Sequence, residues 1–185
     1  MEDHLREFLN YLRIEKNAAA NTVASYQNDL LRYINFLQQK GIHGFSQVMP
    51  ADILALIHVL NDIGLTVAST ARNLSAIRMF HRFLLAENYS PNNPTANISF
   101  PKQPKSLPKV LSPIEVEKIL AQPETNQPKG LRDRAMLEFL YGAGLRVSEL
   151  ISIPMSNLFF DDGFVRIMGK GSKERIVPIG EQAIY

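Results

Sequence analysis

Three cations lie within six residues near the end of this chain. They are Lys170, Lys173 and Arg175, in the run Gly169-Lys170-Gly171-Ser172-Lys173-Glu174-Arg175. The two glycines let the backbone approach a ligand closely. A lysine carried on such a tip can reach a phosphate, or hand a proton to an oxygen that leaves one. The longer glycine spacing of a P-loop is absent, so this is not a nucleotide cradle of that kind. A basic turn exposed only to solvent would read the same way.

A second candidate is Arg146, in Gly144-Leu145-Arg146-Val147-Ser148-Glu149-Leu150. It follows a helix stop in a mostly apolar neighbourhood, so we expect it to be half-buried and to need an acceptor. A phosphate would serve, through two parallel N–H···O bonds. Glu149 or a backbone carbonyl would serve as well. A third candidate is a helical face. At about 100° per residue, Arg72, Ser75, Arg78 and Arg82 project to one side, and Leu74, Ile77, Phe80 and Leu84 to the other. That basic side carries no carboxylate until Glu87. Such a helix can lie in a major groove with its arginines on phosphates or a guanine edge. It also fits a solvated arginine face.

The elements that must position these residues follow from periodicity. Leu5, Phe8, Leu9 and Leu12 mark one helix face, and Tyr26, Leu30, Tyr33 and Leu37 a second, with Asn21 as its expected N-cap and Gly41 as its end. Pro50 suits the first turn of a third helix carrying Ile53, Leu56, Ile57 and Leu60. Gly64 breaks it, and Thr66 or Ser69 starts the fourth. Tyr11, Tyr26 and Tyr33 fall on packing faces. Over residues 89–111 come Pro91, Pro94, Pro101, Pro104 and Pro108, which exclude regular helix. Lys102, Lys105 and Lys109 sit in the same stretch without an acid, so it reads as an extended basic linker.

Ser112-Pro113-Ile114-Glu115 is a capping box that opens a fifth helix. After a break over 122–129, a helix from Leu131 to Tyr141 is stopped by Gly142 and Gly144, and 146–151 forms a short turn. The period then changes. Residues 164–168 alternate as a strand and 174–179 follow as a second, which makes the glycine-rich basic run the tip of a β-hairpin. Pro178 puts the second strand at an edge or lies near its end. The expected organisation is a helical domain over 1–90, a linker over 91–111 and a second domain over 112–185.

Composition sets the limits. The 185 residues are 45% hydrophobic and 21% charged, an ordinary globular balance with room for one domain or two small ones. The net charge of +2 is no bar to a nucleic-acid partner, because the clustering of cations matters more than their sum. The absence of cysteine excludes disulfides, thiolate metal sites and cysteine nucleophiles. No apolar run approaches the roughly 20 residues that span a bilayer. Residues 1–10 carry Glu2, Asp3 and Glu7 and lack the basic start of a signal peptide, so a cytoplasmic setting is expected.

Taken together these residues resemble a known family. Gly-Leu-Arg-Val-Ser-Glu-Leu at 144–150, followed about twenty residues on by the Gly-Lys-Gly-x-Lys-Glu-Arg run, is similar to the tyrosine recombinases of the Xer branch. So are Phe8-Leu9-Asn10-Tyr11-Leu12, Asn21-Thr22, Ser25-Tyr26, Leu74-Ser75-Ala76-Ile77-Arg78, and Pro101-Lys102 leading to 107–112. The resemblance covers essentially the whole chain. It implies a mainly α fold: a four-helix, SAM-like core-binding domain, a Pro/Lys-rich linker, then the first part of an α+β catalytic domain with a small antiparallel sheet.

The resemblance also implies a chemistry. A tyrosine attacks a DNA phosphodiester, forms a 3′-phosphotyrosyl link and frees a 5′-hydroxyl, with arginines stabilising the pentavalent phosphate. Carried over position by position, Arg146 matches the first catalytic arginine and Lys170 the hairpin lysine that acts as general acid. Arg72, Ser75, Arg78, Lys102, Lys105, Lys173 and Arg175 are then expected DNA contacts. No metal or other cofactor is implied. The implied partners are a double-stranded recombination site, a second recombinase of the same family in a tetramer on DNA, and a septal DNA translocase; no membrane is implied.

One departure stands out. The family's second arginine lies in a His-x-x-Arg motif, with a further His or Trp and the nucleophilic tyrosine downstream. His4, His43, His58 and His81 all lie in the first domain and none begins that motif. Tyr185 comes only ten residues after Arg175 and matches a helix position, not the nucleophile. The chain is therefore expected to stop short of those motifs, to leave apolar surface on its second domain unburied, and to bind DNA without cutting it. The alternative is a DNA-binding module or inhibitor without catalytic activity.

Overall fold

A computed structural model describes residues 1–99, 110–169 and 174–180. Lys102, Lys105, Lys109, Lys170, Lys173 and Tyr185 lie outside the described residues. The chain divides into two compact units, Met1–Ser106 and Leu107–Tyr185.

The first unit is helical. It contains α1 (Glu2–Ile14), α2 (Ala20–Gln39), a 3-10 turn at Phe45–Gln47, α3 (Pro50–Asp62) and α4 (Val67–Ala86). Each helix buries one stripe. Phe8 and Leu12 of α1, Tyr33 and Leu37 of α2, Ile53, Leu56 and Leu60 of α3, and Leu74, Ile77, Phe80 and Leu84 of α4 form a single core. Each such side chain contributes roughly 1.5–3 kcal/mol on leaving water. Phe80 anchors the arrangement, with its ring centroid 5.2 Å from that of Phe8 and 5.0 Å from that of Phe45. Tyr33 is fully buried, whereas Tyr11 and Tyr26 pack against the core only in part.

The helix ends are those the sequence announces, with one correction. Thr66 caps α4, its hydroxyl accepting from the Ser69 N–H at 3.2 Å. Gly41 and Gly64 follow α2 and α3 with φ of 75° and 81°. Asn21, however, is not the cap of α2. That helix begins at Ala20 with Ala19 before it, and Asn21 instead offers its carbonyl to the Ser25 hydroxyl at 2.8 Å.

The second unit contains α5 (Pro113–Leu120), α6 (Pro128–Gly142), the single turn α7 (Val147–Leu150), a 3-10 turn at Met155–Asn157, and strands β1 (Leu158–Phe159), β2 (Phe164–Met168) and β3 (Glu174–Pro178). The Ser112/Glu115 capping box forms, with the Ser112 N–H donating to Glu115 Oε2 at 2.8 Å. Helix α6 begins three residues before the expected Leu131, because Pro128 occupies the first turn where its missing N–H costs nothing. The sheet is antiparallel in the order β1-β2-β3, so β3 is an edge strand. Strand β1 has only two residues and no readable alternation, which is why sequence periodicity passes over it.

A small core of Phe139, Ala143, Leu145, Val165, Ile167 and Ile179 joins α6 to the sheet. Around it Val147, Ile151, Met155 and Ile176 remain exposed. No helix among the described residues is long and apolar enough to cross a membrane.

Candidate nucleic-acid interface

Gly144 follows α6 with φ of 57°, a left-handed conformation that ends the helix. Leu145 enters the core, Arg146 follows as the residue before α7, and Leu150 packs against that core, partly buried. Glu149 lies between them at the third position of α7. Its Oε2 accepts the Arg146 backbone N–H at 2.8 Å, and its Oε1 accepts Arg146 Nη1 at 2.9 Å.

A second guanidinium meets the same carboxylate. Residues of β3 alternate, so Arg175 and Val177 share the face that pairs with buried Ile167 and Val165 of β2. From that inner face Arg175 sends Nη1 to Glu149 Oε1 and Nη2 to Glu149 Oε2, both at 2.9 Å. The four acceptor positions of the carboxylate are thereby filled. Those bonds, the Arg175 pair foremost and the Arg146 N–H next, hold the Glu149 carboxyl far below the usual carboxylate range.

Burial separates the three groups. The Glu149 side chain is 8% exposed, Arg175 37% and Arg146 73%. Arg146 is thus not half-buried, as its apolar neighbours suggested. Only one of its five guanidinium N–H groups meets Glu149, and the rest of the fork faces outward. Glu149, one of the acceptors open to Arg146 from the sequence, is the one the fold supplies, yet it does not enclose the guanidinium.

The basic face of α4 is also more organised than its periodicity indicates. Asp29 of α2 is a buried carboxylate that accepts Arg72 Nε at 2.9 Å and Nη2 at 3.1 Å. Arg32 adds a longer contact to Asp29 at 3.5 Å. A carboxylate therefore does meet this face, although from another helix. Arg72 is half exposed beyond its pair with Asp29. The Ser75 hydroxyl donates to the Ala71 carbonyl at 2.9 Å, and Arg78 turns aside to the Ile98 carbonyl. Arg82 is exposed and continues the stripe one turn on from Arg78.

Sequence reasoning missed Asp29 and undervalued Arg175. A signal existed for the latter: its alternation with Val177 places a charge on an inward face, which demands a counter-charge. Nothing in the sequence identifies Asp29 as the partner of a residue 43 positions away. Among the described residues no group of three or more His, Asp or Glu could hold a metal ion.

Comparison with known proteins adds three findings. Residues 5–88 match the family described as "Phage integrase, N-terminal SAM-like domain", and residues 109–185 match the "Phage integrase family". The chain is 50% identical over 183 residues to a protein of Chlorobaculum tepidum named Tyrosine recombinase XerD, covering 97% of this chain and 60% of that protein. It is 40% identical over 184 residues to the Tyrosine recombinase XerD of Oceanobacillus iheyensis, covering 99% and 62%. The chain thus spans about three-fifths of the length of these relatives. In fold it is similar to a lambda integrase(75-356) dimer bound to a COC' core site, with TM-score 0.76 and 20% identity over 100% of this chain and 64% of the other. It is also similar to the Tn1549 transposon integrase in complex with circular intermediate DNA, with TM-score 0.70 and 18% identity over 97% and 61%.

Proposed function

Taking as premise that the chain belongs to the phage integrase family of tyrosine recombinases, we propose that it is the DNA-gripping and phosphate-activating part of a Xer-type site-specific recombinase. The first unit holds a recombination-site duplex through Arg72, Ser75 and Arg78, and Lys102 and Lys105 follow the backbone along the linker. In the second unit Arg146 stabilises charge on the scissile phosphate. Lys170 gives the leaving 5′-oxygen its proton, and Lys173 adds cationic charge beside it. Arg175 is five positions after Lys170, at most about 18 Å of extended backbone, so the lysine is tethered to the strand that reaches Glu149.

The observation that carries this reading is the exposure of Arg146. A guanidinium with one foot on a buried carboxylate is oriented, and the rest of its fork stays open to an oxyanion. A phosphodiester oxygen matches that fork in charge and in geometry.

The activity of the whole protein requires the second arginine, the histidine and the nucleophilic tyrosine, and no His-x-x-Arg occurs within these 185 residues. The chain alone therefore binds duplex and forms no covalent adduct. In the complete reaction it acts with a second recombinase of the same family in a tetramer on DNA, in the cytoplasm. A septal DNA translocase is the further partner in chromosome-dimer resolution. The alternative, a binding module or inhibitor, makes the same prediction for this chain and differs only in the whole protein.

The test is a nicked suicide duplex incubated with the chain. Affinity should fall steeply as salt rises, and no tyrosine should be trapped on DNA. A phosphotyrosyl adduct, or binding indifferent to salt, would overturn the reading.

A further inference from the structure

We infer that Arg175 is a positioning residue which keeps Glu149 from neutralising Arg146, and is not itself a DNA contact. The inference rests on the phosphate-binding role proposed for Arg146.

The argument is one of charge and of occupied acceptors. Glu149 is a nearly buried carboxylate three residues from Arg146, well placed to take that guanidinium as a closed two-bond pair. A closed pair would be neutral and its donors would be spent, so it would offer little to a phosphate. The structure shows another outcome. Arg175 occupies both carboxylate oxygens with its own fork, and Arg146 is left with one side-chain bond to Oε1. Two guanidinium charges against one carboxylate leave the cluster with one positive charge, and the more exposed guanidinium carries the open donors.

Geometry also argues against a direct contact by Arg175. Two of its five guanidinium N–H groups are held in parallel by Glu149, its side chain leaves the inner face of β3, and it is half as exposed as Arg146. Its place as the second residue of β3 gives it a second consequence. The strand that leads out of the tip is fastened to the turn that carries Arg146, so the two cationic segments share one carboxylate.

The experiment compares Arg175→Gln, Arg175→Lys, Glu149→Gln, Arg146→Gln and the double variant Arg175→Gln/Glu149→Gln, read by affinity for a short duplex at several salt concentrations. Glutamine at 149 keeps an acceptor for the Arg146 N–H, so the cap on α7 persists. Arg175→Gln should weaken binding about ten-fold, close to the effect of Arg146→Gln, and lower the salt slope by about one. Arg175→Lys keeps the charge without the fork and should recover part of the loss.

The decisive variant is the double one. With Glu149 neutral, Arg146 regains its free charge without Arg175, and affinity should return to within about two-fold of the parent. A direct contact by Arg175 predicts no recovery in the double variant, and a purely structural role predicts that each loss and recovery of affinity is matched by a loss and recovery of the melting temperature of the second unit; either result overturns the inference. An Arg146→Gln variant that binds as tightly as the parent would instead overturn the function proposed for Arg146.

Discussion

Glu149 and Arg175 are joined by two parallel hydrogen bonds of 2.9 Å, although 26 residues of chain separate them. The pair ties the edge strand of the sheet to α7. Its effect on stability has a definite sign. The folded carboxyl titrates below its ordinary value of 4.5, so its contribution is fully present above that pH and is lost as pH falls further. Acid titration followed by hydrogen exchange of the β2 and β3 amides should show protection falling as the medium is taken below that value. Glu149→Gln should flatten this limb, and an unchanged acid limb would count against the pair as its source.

His81 makes the opposite kind of group in the first unit. Its Nε2 lies 2.7 Å from the Tyr33 hydroxyl, and both side chains are fully buried. Burial lowers the imidazole from 6.5 to about 4. The unfolded chain therefore takes up the proton first, and stability declines as pH drops from 6.5 toward 4. The accumulated loss is about 3 kcal/mol at the acid end. Thermal unfolding of the first unit should fall between about pH 7 and about pH 5. In His81→Phe that dependence should be much shallower, although the variant leaves the Tyr33 hydroxyl unpaired and is less stable overall.

Arg72 and Arg82 stand on one face of α4 and should behave differently. Removing Arg72 leaves the buried Asp29 carboxylate, among the described residues, with the longer Arg32 contact alone. Arg72→Ala should therefore lower both stability, by roughly 1–3 kcal/mol, and duplex affinity. Arg82→Ala, which breaks no ion pair among the described residues, should affect affinity alone. Denaturant unfolding beside a binding titration separates the two, and equal stability losses would contradict the assignment.

Two glycines should resist replacement for different reasons. A Cβ on Gly130 would stand 2.0 Å from the Glu124 carbonyl oxygen, a backbone atom that cannot swing aside. Gly130→Ala should cost roughly 1–3 kcal/mol by forcing the start of α6 away from the preceding turn. Gly144 has open space around it but a φ of 57°, so Gly144→Ala should cost about 1–2 kcal/mol from the backbone itself. Because Gly144 sets the direction of the chain into Arg146, that variant should also weaken duplex binding, whereas Gly130→Ala should act on stability.

Much of this molecule was legible before any coordinates. Hydrophobic periodicity located the four helices of the first unit and the alternation of β2 and β3, since a buried stripe leaves the same spacing wherever it packs. Glycine, proline and the Ser112/Glu115 box marked most helix ends, since capping is settled within a few residues. Arg146 and Lys170 were picked out by local signals, a helix stop and a glycine-rich run, and the roles proposed for them come from the family resemblance. Boundaries set by weaker signals were less accurate, as the starts of α2 and α6 show.

What the chain alone determined, then, is which residues share a face and where each element begins or stops. Only the tertiary structure decided what those faces meet: Asp29 under Arg72, and Glu149 between Arg146 and Arg175. The physical reason is range. Backbone conformation and capping act over a few residues, whereas an ion pair forms between whatever groups packing brings within a few ångströms, at any separation along the chain.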